Sequence, residues 1–261
     1  MEASEYHRIA AAEDEHWWYR NTRGLMQDLL APHLAPAGNG ADRPRILDAG
    51  CGPGGNGAWL AQHGDVVGVD LAPEGLAYVR DRRPEIRTAQ ASITHLPFPD
   101  GMFDVTVEVT VVTCVADDLR AIRELARVTK PGGAVLLFEP AFPALRRAHD
   151  AVVHSVHRYT RRILEERARA SGLRVRRSTY AYSFLVPPAA ALALVERVRP
   201  HAPADADSDV ERRSMDRVFA PLAAAERRRL ARSNVPFGTS VLVLATRDGV
   251  PAPPEHDKLH P

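Results

Sequence analysis

The sequence predicts an α/β fold, a mostly parallel sheet with helices on both faces, and three observations predict it. From Arg45 onward, short β-branched runs alternate with helical stretches, the order that right-handed βαβ crossovers require. Of the 261 residues, 45% are hydrophobic and 26% charged, a globular composition that excludes a disordered chain or a collagen-like repeat. Two cysteines, Cys51 and Cys114, cannot staple a chain of this length, so a packed core must hold it and both are expected as reduced thiols.

Each element has its own local signal. Residues 1–44 read as an N-terminal helical cap, in which Leu25, Met26, Leu29 and Leu30 form an apolar stripe before the connector APAGNGADRP. The main domain, 45–246, then runs RILDAG, a helix from Ala58 to His63, DVVGVD, a helix from Pro73 to Arg82, EIRTAQA, FDVTVEVT, a helix from Asp117 to Thr129, and AVLLFE. In the last of these helices Asp118 is placed to cap the start and Leu119, Ile122, Leu125 and Ala126 share one face. Arg127 and Lys130 suit its negative end, and Pro131-Gly132-Gly133 stops it. A helix from Thr160 to Ser171, a strand from Leu173 to Tyr182, an alanine- and arginine-rich helical stretch to about Ser233, and the strand TSVLVLAT complete the domain. The segment 183–235 is longer than a hairpin needs and reads as a helical insertion, a lid or a homodimer contact; the proline-rich tail 247–261 is expected to be disordered.

Charge and hydropathy exclude several partners. The start MEASEYHRIAAAEDEH lacks the basic and apolar blocks of a secretory leader, so a cytoplasmic protein is expected. The apolar stretch Phe184 to Val195 contains two prolines and is too short to span a bilayer. Basic and acidic residues balance, 34 against 33, and the arginine runs Arg158 to Arg177 and Glu226 to Arg232 are broken by glutamates at helical spacing. They read as solvated helix faces, with no nucleic-acid surface expected and no metal site.

The chemistry is concentrated where RILD runs into Ala49-Gly50-Cys51-Gly52-Pro53-Gly54-Gly55. Glycines there let the backbone turn sharply and approach a ligand closely. At the end of the next strand, Asp70 can accept both hydroxyl hydrogens of a ribose, so turn plus acid indicates an adenosine cofactor. Gly50, Gly52 and Gly55 also satisfy the dinucleotide spacing, but Asp48 beneath the turn suits an ammonium and repels a pyrophosphate.

From about Ile46 to Phe138 the chain resembles the class I S-adenosylmethionine-dependent methyltransferases of small-molecule type. Leu47-Asp48-Ala49-Gly50-Cys51-Gly52-Pro53-Gly54 is similar to their first motif and Val67-Gly68-Val69-Asp70 to the second. Leu96-Pro97-Phe98-Pro99-Asp100-Gly101-Met102-Phe103-Asp104, Lys130-Pro131-Gly132-Gly133 and Pro236-Phe237-Gly238-Thr239-Ser240 resemble later ones. The resemblance implies a Rossmann-like seven-stranded sheet ordered 3-2-1-4-5-7-6, its last strand antiparallel, with S-adenosyl-L-methionine across the carboxyl ends of the first strands. It implies cofactor contacts from Asp48, Gly50, Cys51, Gly52, Gly54, Asp70, Leu71, Ser92, Ile93 and Thr110. Two positions depart from it: Ser92 stands where many relatives carry an adenine-binding Asp, and Thr110-Val111-Val112-Thr113-Cys114 replaces a more polar loop, which points to an acceptor of low polarity.

Methyl transfer from a sulfonium needs alignment and exclusion of water more than a catalytic dyad. In His16-Trp17-Trp18-Tyr19-Arg20-Asn21-Thr22-Arg23, Trp18 and Arg23 are read as closing on the cofactor and Tyr19 on the acceptor, while packing of both tryptophans onto the sheet is the competing reading. Tyr182 and Phe237 are candidate acceptor contacts. His157 and Tyr159 are candidate catalytic groups where the acceptor must lose a proton. Glu139 either faces the mouth or is a buried carboxylate bonded to amides. The expected function is methylation of a small, largely apolar metabolite in bacterial specialised metabolism. The alternatives are an NAD(P)-dependent oxidoreductase and a non-catalytic methyltransferase-like binding protein.

Overall fold

Seven strands, β1 (Arg45–Ala49), β2 (Asp65–Asp70), β3 (Arg87–Gln90), β4 (Phe103–Val109), β5 (Thr129–Pro140), β6 (Leu173–Ala181) and β7 (Ser240–Arg247), form one sheet in the order β3-β2-β1-β4-β5-β7-β6. The structure, a computed structural model, describes residues 9–34, 43–198 and 216–249; the predicted tail beyond 249 and the middle of the 183–235 insertion lie outside the described residues. Strands β1 to β5 are parallel, and β7 runs antiparallel between β5 and β6. A dinucleotide-binding sheet has a sixth parallel strand in that place, so the topology departs from the oxidoreductase alternative.

Helices α1 (Trp17–Leu34), α2 (Gly55–Leu60), α3 (Pro73–Arg82) and α8 (Asp216–Leu230) cover one face; α4 (Asp118–Val128) and α6 (Arg161–Ala170) cover the other. The predicted stripe Leu25, Met26, Leu29 and Leu30 is buried against Ile46, Val105, Leu136 and Phe138, so the N-terminal cap shares the core of the sheet. On the opposite face Ile122, Leu125, Leu164 and Leu137 are wholly buried, and truncating one such leucine to alanine costs ~2–5 kcal/mol.

Two predicted details are corrected around α4. Its cap is Asp117, whose Oδ1 accepts the Arg120 N–H at 3.0 Å. Asp118 is instead buried inside the first turn, where it accepts from Tyr159 and pairs with Arg167 at 3.2 Å. The helix also ends before Pro131-Gly132-Gly133. Thr129 already pairs with Phe103, and the glycine turn with Gly132 at φ 79° lies within β5, before pairing resumes at Ala134.

The sheet directs the carboxyl ends of β1, β2, β4, β5 and β6, and the start of β7, to one rim. That rim also carries the backbone strain. Among the described residues, those other than glycine with positive φ are Thr110, Phe142, His154 and Tyr182, which follow β4, β5, the short helix α5 (Ala148–Val152) and β6. Strain of this kind, of order 1–3 kcal/mol each, persists only where surrounding structure fixes it, and it clusters at functional sites.

Candidate active site

The turn after β1 is held by its neighbour strand. The Gly50 and Cys51 N–H groups both donate to the Val69 carbonyl, at 2.6 and 2.9 Å. Gly50 sits at φ 82°, and a Cβ there would collide with Val111, so only glycine lets the loop after β4 close on the turn. Gly52, at φ 51°, differs: a Cβ there would meet nothing within 4 Å, so its bare backbone faces open space.

Asp70 ties this cradle together. Its Oδ2 accepts the Gly52 N–H and its Oδ1 the Ala72 N–H, both at 2.9 Å, so the carboxylate is oriented by two main-chain donors at the crevice edge. Leu71 beside it is 68% exposed, an apolar side chain standing at the same edge. Ser92 is engaged with Thr94, through both its hydroxyl and the Thr94 N–H. The Ile93 side chain is buried in the core, which leaves only its main chain toward the crevice. Thr110, at φ 59°, donates its N–H to the Phe138 carbonyl and stands exposed beside the turn.

Asp48 and Cys51 lie beneath the turn. Asp48 faces Gly57 of α2, is 2% exposed, and is pushed up to about 7 by burial and by the charge of Asp70, against the Gly57 N–H. It therefore carries only part of a negative charge near neutral pH, which weakens the electrostatic argument made from it. Cys51 packs against Gly68, and burial raises its thiol far out of the reactive range.

The N-terminal cap supplies a residue that the sequence did not reveal. Glu13, 4% exposed, accepts the Gly55 N–H through Oε2 at 2.8 Å and so clasps the cap to the glycine turn. Burial pushes its carboxyl up to about 8, against the pull of Arg83. Three acids stand together at 13–15, and nothing local distinguishes the buried one. Arg23 donates through Nη2 to the Glu13 carbonyl at 2.7 Å, and its Nη1 is buried with no protein partner, a donor available to an anion. The tryptophan pair divides. Trp17 is buried among Tyr182, Phe184 and Phe219, whereas Trp18 is half-buried, edge-on to Tyr19 at 5.0 Å and to Phe138 at 6.0 Å.

Beyond β5 the structure corrects one expected acceptor contact, Tyr182, and one candidate catalytic group, Tyr159. Tyr182 is fully buried, its hydroxyl 2.7 Å from that of Thr22 and its ring against both tryptophans, so it anchors α1 and lines no pocket. Tyr159 is 2% exposed and donates to Asp118 at 3.2 Å; burial raises its phenol, so it is no acid or base on the rim. Tyr180 is likewise buried, stacked on Phe142 at 5.0 Å. His157 stays half-buried, with Nε2 3.3 Å from the Ala116 carbonyl, an arrangement that leaves Nδ1 as the acceptor nitrogen. Phe237 is 48% exposed just before β7, on the same rim. Cys114 lies against the Val153 carbonyl at 3.3 Å and burial pushes its thiol up to about 11.

The described helices of the insertion pack on this side. Glu226 of α8 accepts the main-chain N–H groups of Tyr182 and Ser183, and Arg227 pairs with Asp28 of α1 at 2.6 Å, so these charges of the arginine-rich helix are used within the chain. Helix α7 (Val186–Val198) is inverted. Glu196 accepts from Arg147 and from the Ala148 N–H, Arg197 donates to the Ala144 carbonyl, and Leu192, Leu194, Val195 and Val198 stand in solvent. A concavity of about 360 Å³ lined by Arg45, Asp65 and Arg87 is at the amino ends of the strands, away from the glycine turn. No described helix is long and apolar enough to cross a membrane, and the described residues contain no cluster of metal-ligating groups.

The chain is similar to known proteins of one family. A family described as a methyltransferase domain matches residues 47–137. The malonyl-[acyl-carrier protein] O-methyltransferase of Enterobacter lignolyticus is 34% identical over 187 residues, 69% of each chain. A probable S-adenosylmethionine-dependent methyltransferase of Mycobacterium tuberculosis is 31% identical over 144 residues, 55% of this chain and 50% of its own. The chain thus spans about half the length of the first curated relatives it matches, 50 to 55%. Among solved structures, an S-adenosylmethionine-dependent methyltransferase from Mesorhizobium loti superposes with TM-score 0.56 at 20% identity, covering 90% of this chain and 99% of its own.

Proposed function

The chain belongs to the class I S-adenosylmethionine-dependent methyltransferases, and from that premise we propose that it methylates a small, largely apolar acceptor. The observation that carries the cofactor half is the open backbone at Gly52, with its N–H bound by Asp70 at the crevice edge. The residues present fit the cofactor. Gly52 leaves room that a Cβ would fill, Asp70 presents oriented oxygens to a ribose, Leu71 an apolar edge to a base, and the orphan Nη1 of Arg23 a donor to a carboxylate. When bound, S-adenosylmethionine supplies a methyl group on a sulfonium with a neutral thioether as leaving group.

The chain's own work is then to bind, orient and exclude water. Trp18, over Phe138 and beside Tyr19, presents an aromatic surface suited to a cationic or apolar ligand. An apolar acceptor is supported by the half-buried Val111 in the floor loop and by the exposed side chains of Phe237 and α7. His157, through Nδ1, is the candidate base for an acceptor that must lose a proton. A place in bacterial specialised metabolism rests on the arginine-for-lysine composition alone, which suits a GC-rich genome.

Equilibrium titration tests this reading. Micromolar binding of S-adenosylhomocysteine with none of NADH is expected, and the reverse result overturns it. Methyl transfer to at least one member of a panel of apolar hydroxyl, amine and carbon acceptors is expected. Cofactor binding with no transfer to any member favours the binding-protein alternative.

A further inference from the structure

Two carboxyl groups that the methyl-transfer reading does not use lie under the floor of the crevice. Glu108 on β4 and Glu139 on β5 are both wholly buried, near the carboxyl ends of paired strands. One oxygen of each is fully employed: Glu108 Oε1 accepts the N–H groups of Val111 and Val112 at 2.6 and 3.1 Å, and Glu139 Oε1 accepts that of Thr113 at 3.0 Å. The second oxygen of each, Oε2, is buried and meets no donor. The two carboxyls hold one turn from adjacent paired strands, Glu108 through Val111 and Val112 and Glu139 through Thr113; burial raises both, and the charge of Glu108 raises Glu139 further.

Two full charges held against one turn in a dry interior are far costlier than one, and a proton on either orphaned Oε2 removes that cost. Among the described residues, no ion pair includes either carboxyl. The groups that face the pair are the Cys114 thiol from the floor turn and the Tyr159 phenol from the segment after α5; behind these stand Asp118 of α4, paired with Arg167, and Asp150 of α5, paired with Arg158. We infer that Glu108 and Glu139 share one proton, and that this proton fixes the Thr110–Cys114 turn against the glycine cradle. The charge that remains is bound by three main-chain N–H groups of the turn. The turn in turn positions the strained Thr110 and sets Val111 against Gly50. Loss of the proton places two like charges against one turn, drives the ends of β4 and β5 apart and loosens the cradle. Both glutamates are therefore positioning residues that act through the loop.

The test uses the full chain and two readouts. Infrared difference spectra of wild type minus Glu108→Gln and minus Glu139→Gln are expected to show a protonated-carboxyl band that each substitution removes, since either amide supplies the missing N–H. Absence of that band from wild type, or its survival in both variants, overturns the inference. S-adenosylhomocysteine affinity, followed upward from about pH 9, where Glu13 and Asp48 have largely titrated, is expected to fall tenfold or more in wild type and in Cys114→Ser. In Glu108→Gln it is expected to stay within threefold. An equal alkaline fall in Glu108→Gln means a purely structural role and overturns it. The functional consequence rests on the cofactor reading. Failure of all ligand binding at every pH would sink that reading, while the infrared arm decides the shared proton by itself.

Discussion

Around the glycine turn, the centre of the crevice is made of main-chain amides and the Asp70 carboxylate, drawn from residues 50–72 and fixed by bonds to the adjacent strand, with Arg23 reaching in from the cap. Beyond β5 the rim is made of side chains from distant segments. His157 is held by main-chain bonds to Thr113, Phe142 stacks on Tyr180, and Glu226 reaches back to Tyr182. The donor end is thus a local backbone device that tolerates little change, whereas the acceptor end is an assembly whose parts can be exchanged. This division suits an enzyme class that keeps one donor and varies its acceptors.

The comparison is broken most severely at the turn itself. Gly52→Val should weaken S-adenosylhomocysteine binding by more than ~100-fold at a stability cost of only ~1–2 kcal/mol, which comes from its left-handed φ alone because the new side chain enters open space. Gly50→Val should lose both binding and fold, since its side chain meets Val111 and its φ is left-handed, together costing ~3 kcal/mol or more. Equal melting temperatures for the two would show that the turn is not braced as described. At the acceptor end, His157→Ala should lower kcat ~100-fold with cofactor affinity unchanged, as expected for loss of a general base. A change below threefold would return His157 to the role of a clamp on Ala116.

Smaller effects sharpen the division. Asp70→Ala should weaken S-adenosylhomocysteine by ~2 kcal/mol, roughly 30-fold by calorimetry, and adenosine by a similar factor. Glu13 supplies a pH test. Its carboxyl ionises near 4.5 when unfolded and about 8 when folded, so its contribution to stability is complete below pH 4.5 and is lost as the pH rises to about 8. Urea unfolding should show wild type losing on the order of 2 kcal/mol across that window, with Asp48 adding to the slope, and Glu13→Gln should flatten it. The smallest effect is expected from Arg23→Ala, about 1.5 kcal/mol against S-adenosylhomocysteine and none against adenosine, which has no carboxylate. Equal losses for the two ligands would remove Arg23 from the methionyl end.

The alternation of strands and helices and the cradle were legible in the sequence because their signals are local, whereas the strand order came only through the family resemblance. The run from Leu47 to Gly54 needs only the steric freedom of glycine, and Asp70 ends the next β-branched run. The acceptor side was not legible in the same way. Tyr182 and Tyr159 have the composition of pocket residues, yet each hydroxyl finds a buried partner, Thr22 or Asp118, from an element far away in the chain. Glu13 and Glu108 were missed because an acid in a run of acids, or one in an alternating strand, gives no sign of burial.

By itself the sequence determined the alternation of strands and helices, the glycine turn with its acid, and the family, since periodicity, steric permission and motif spacing are properties of neighbours along the chain. Only the tertiary structure decided which tryptophan is core and which is rim, that Glu13 clasps the cap to the turn, and that Glu108 and Glu139 hold one turn beneath the floor. Desolvation and pairing act through space, and an acid acquires its proton from what packs around it.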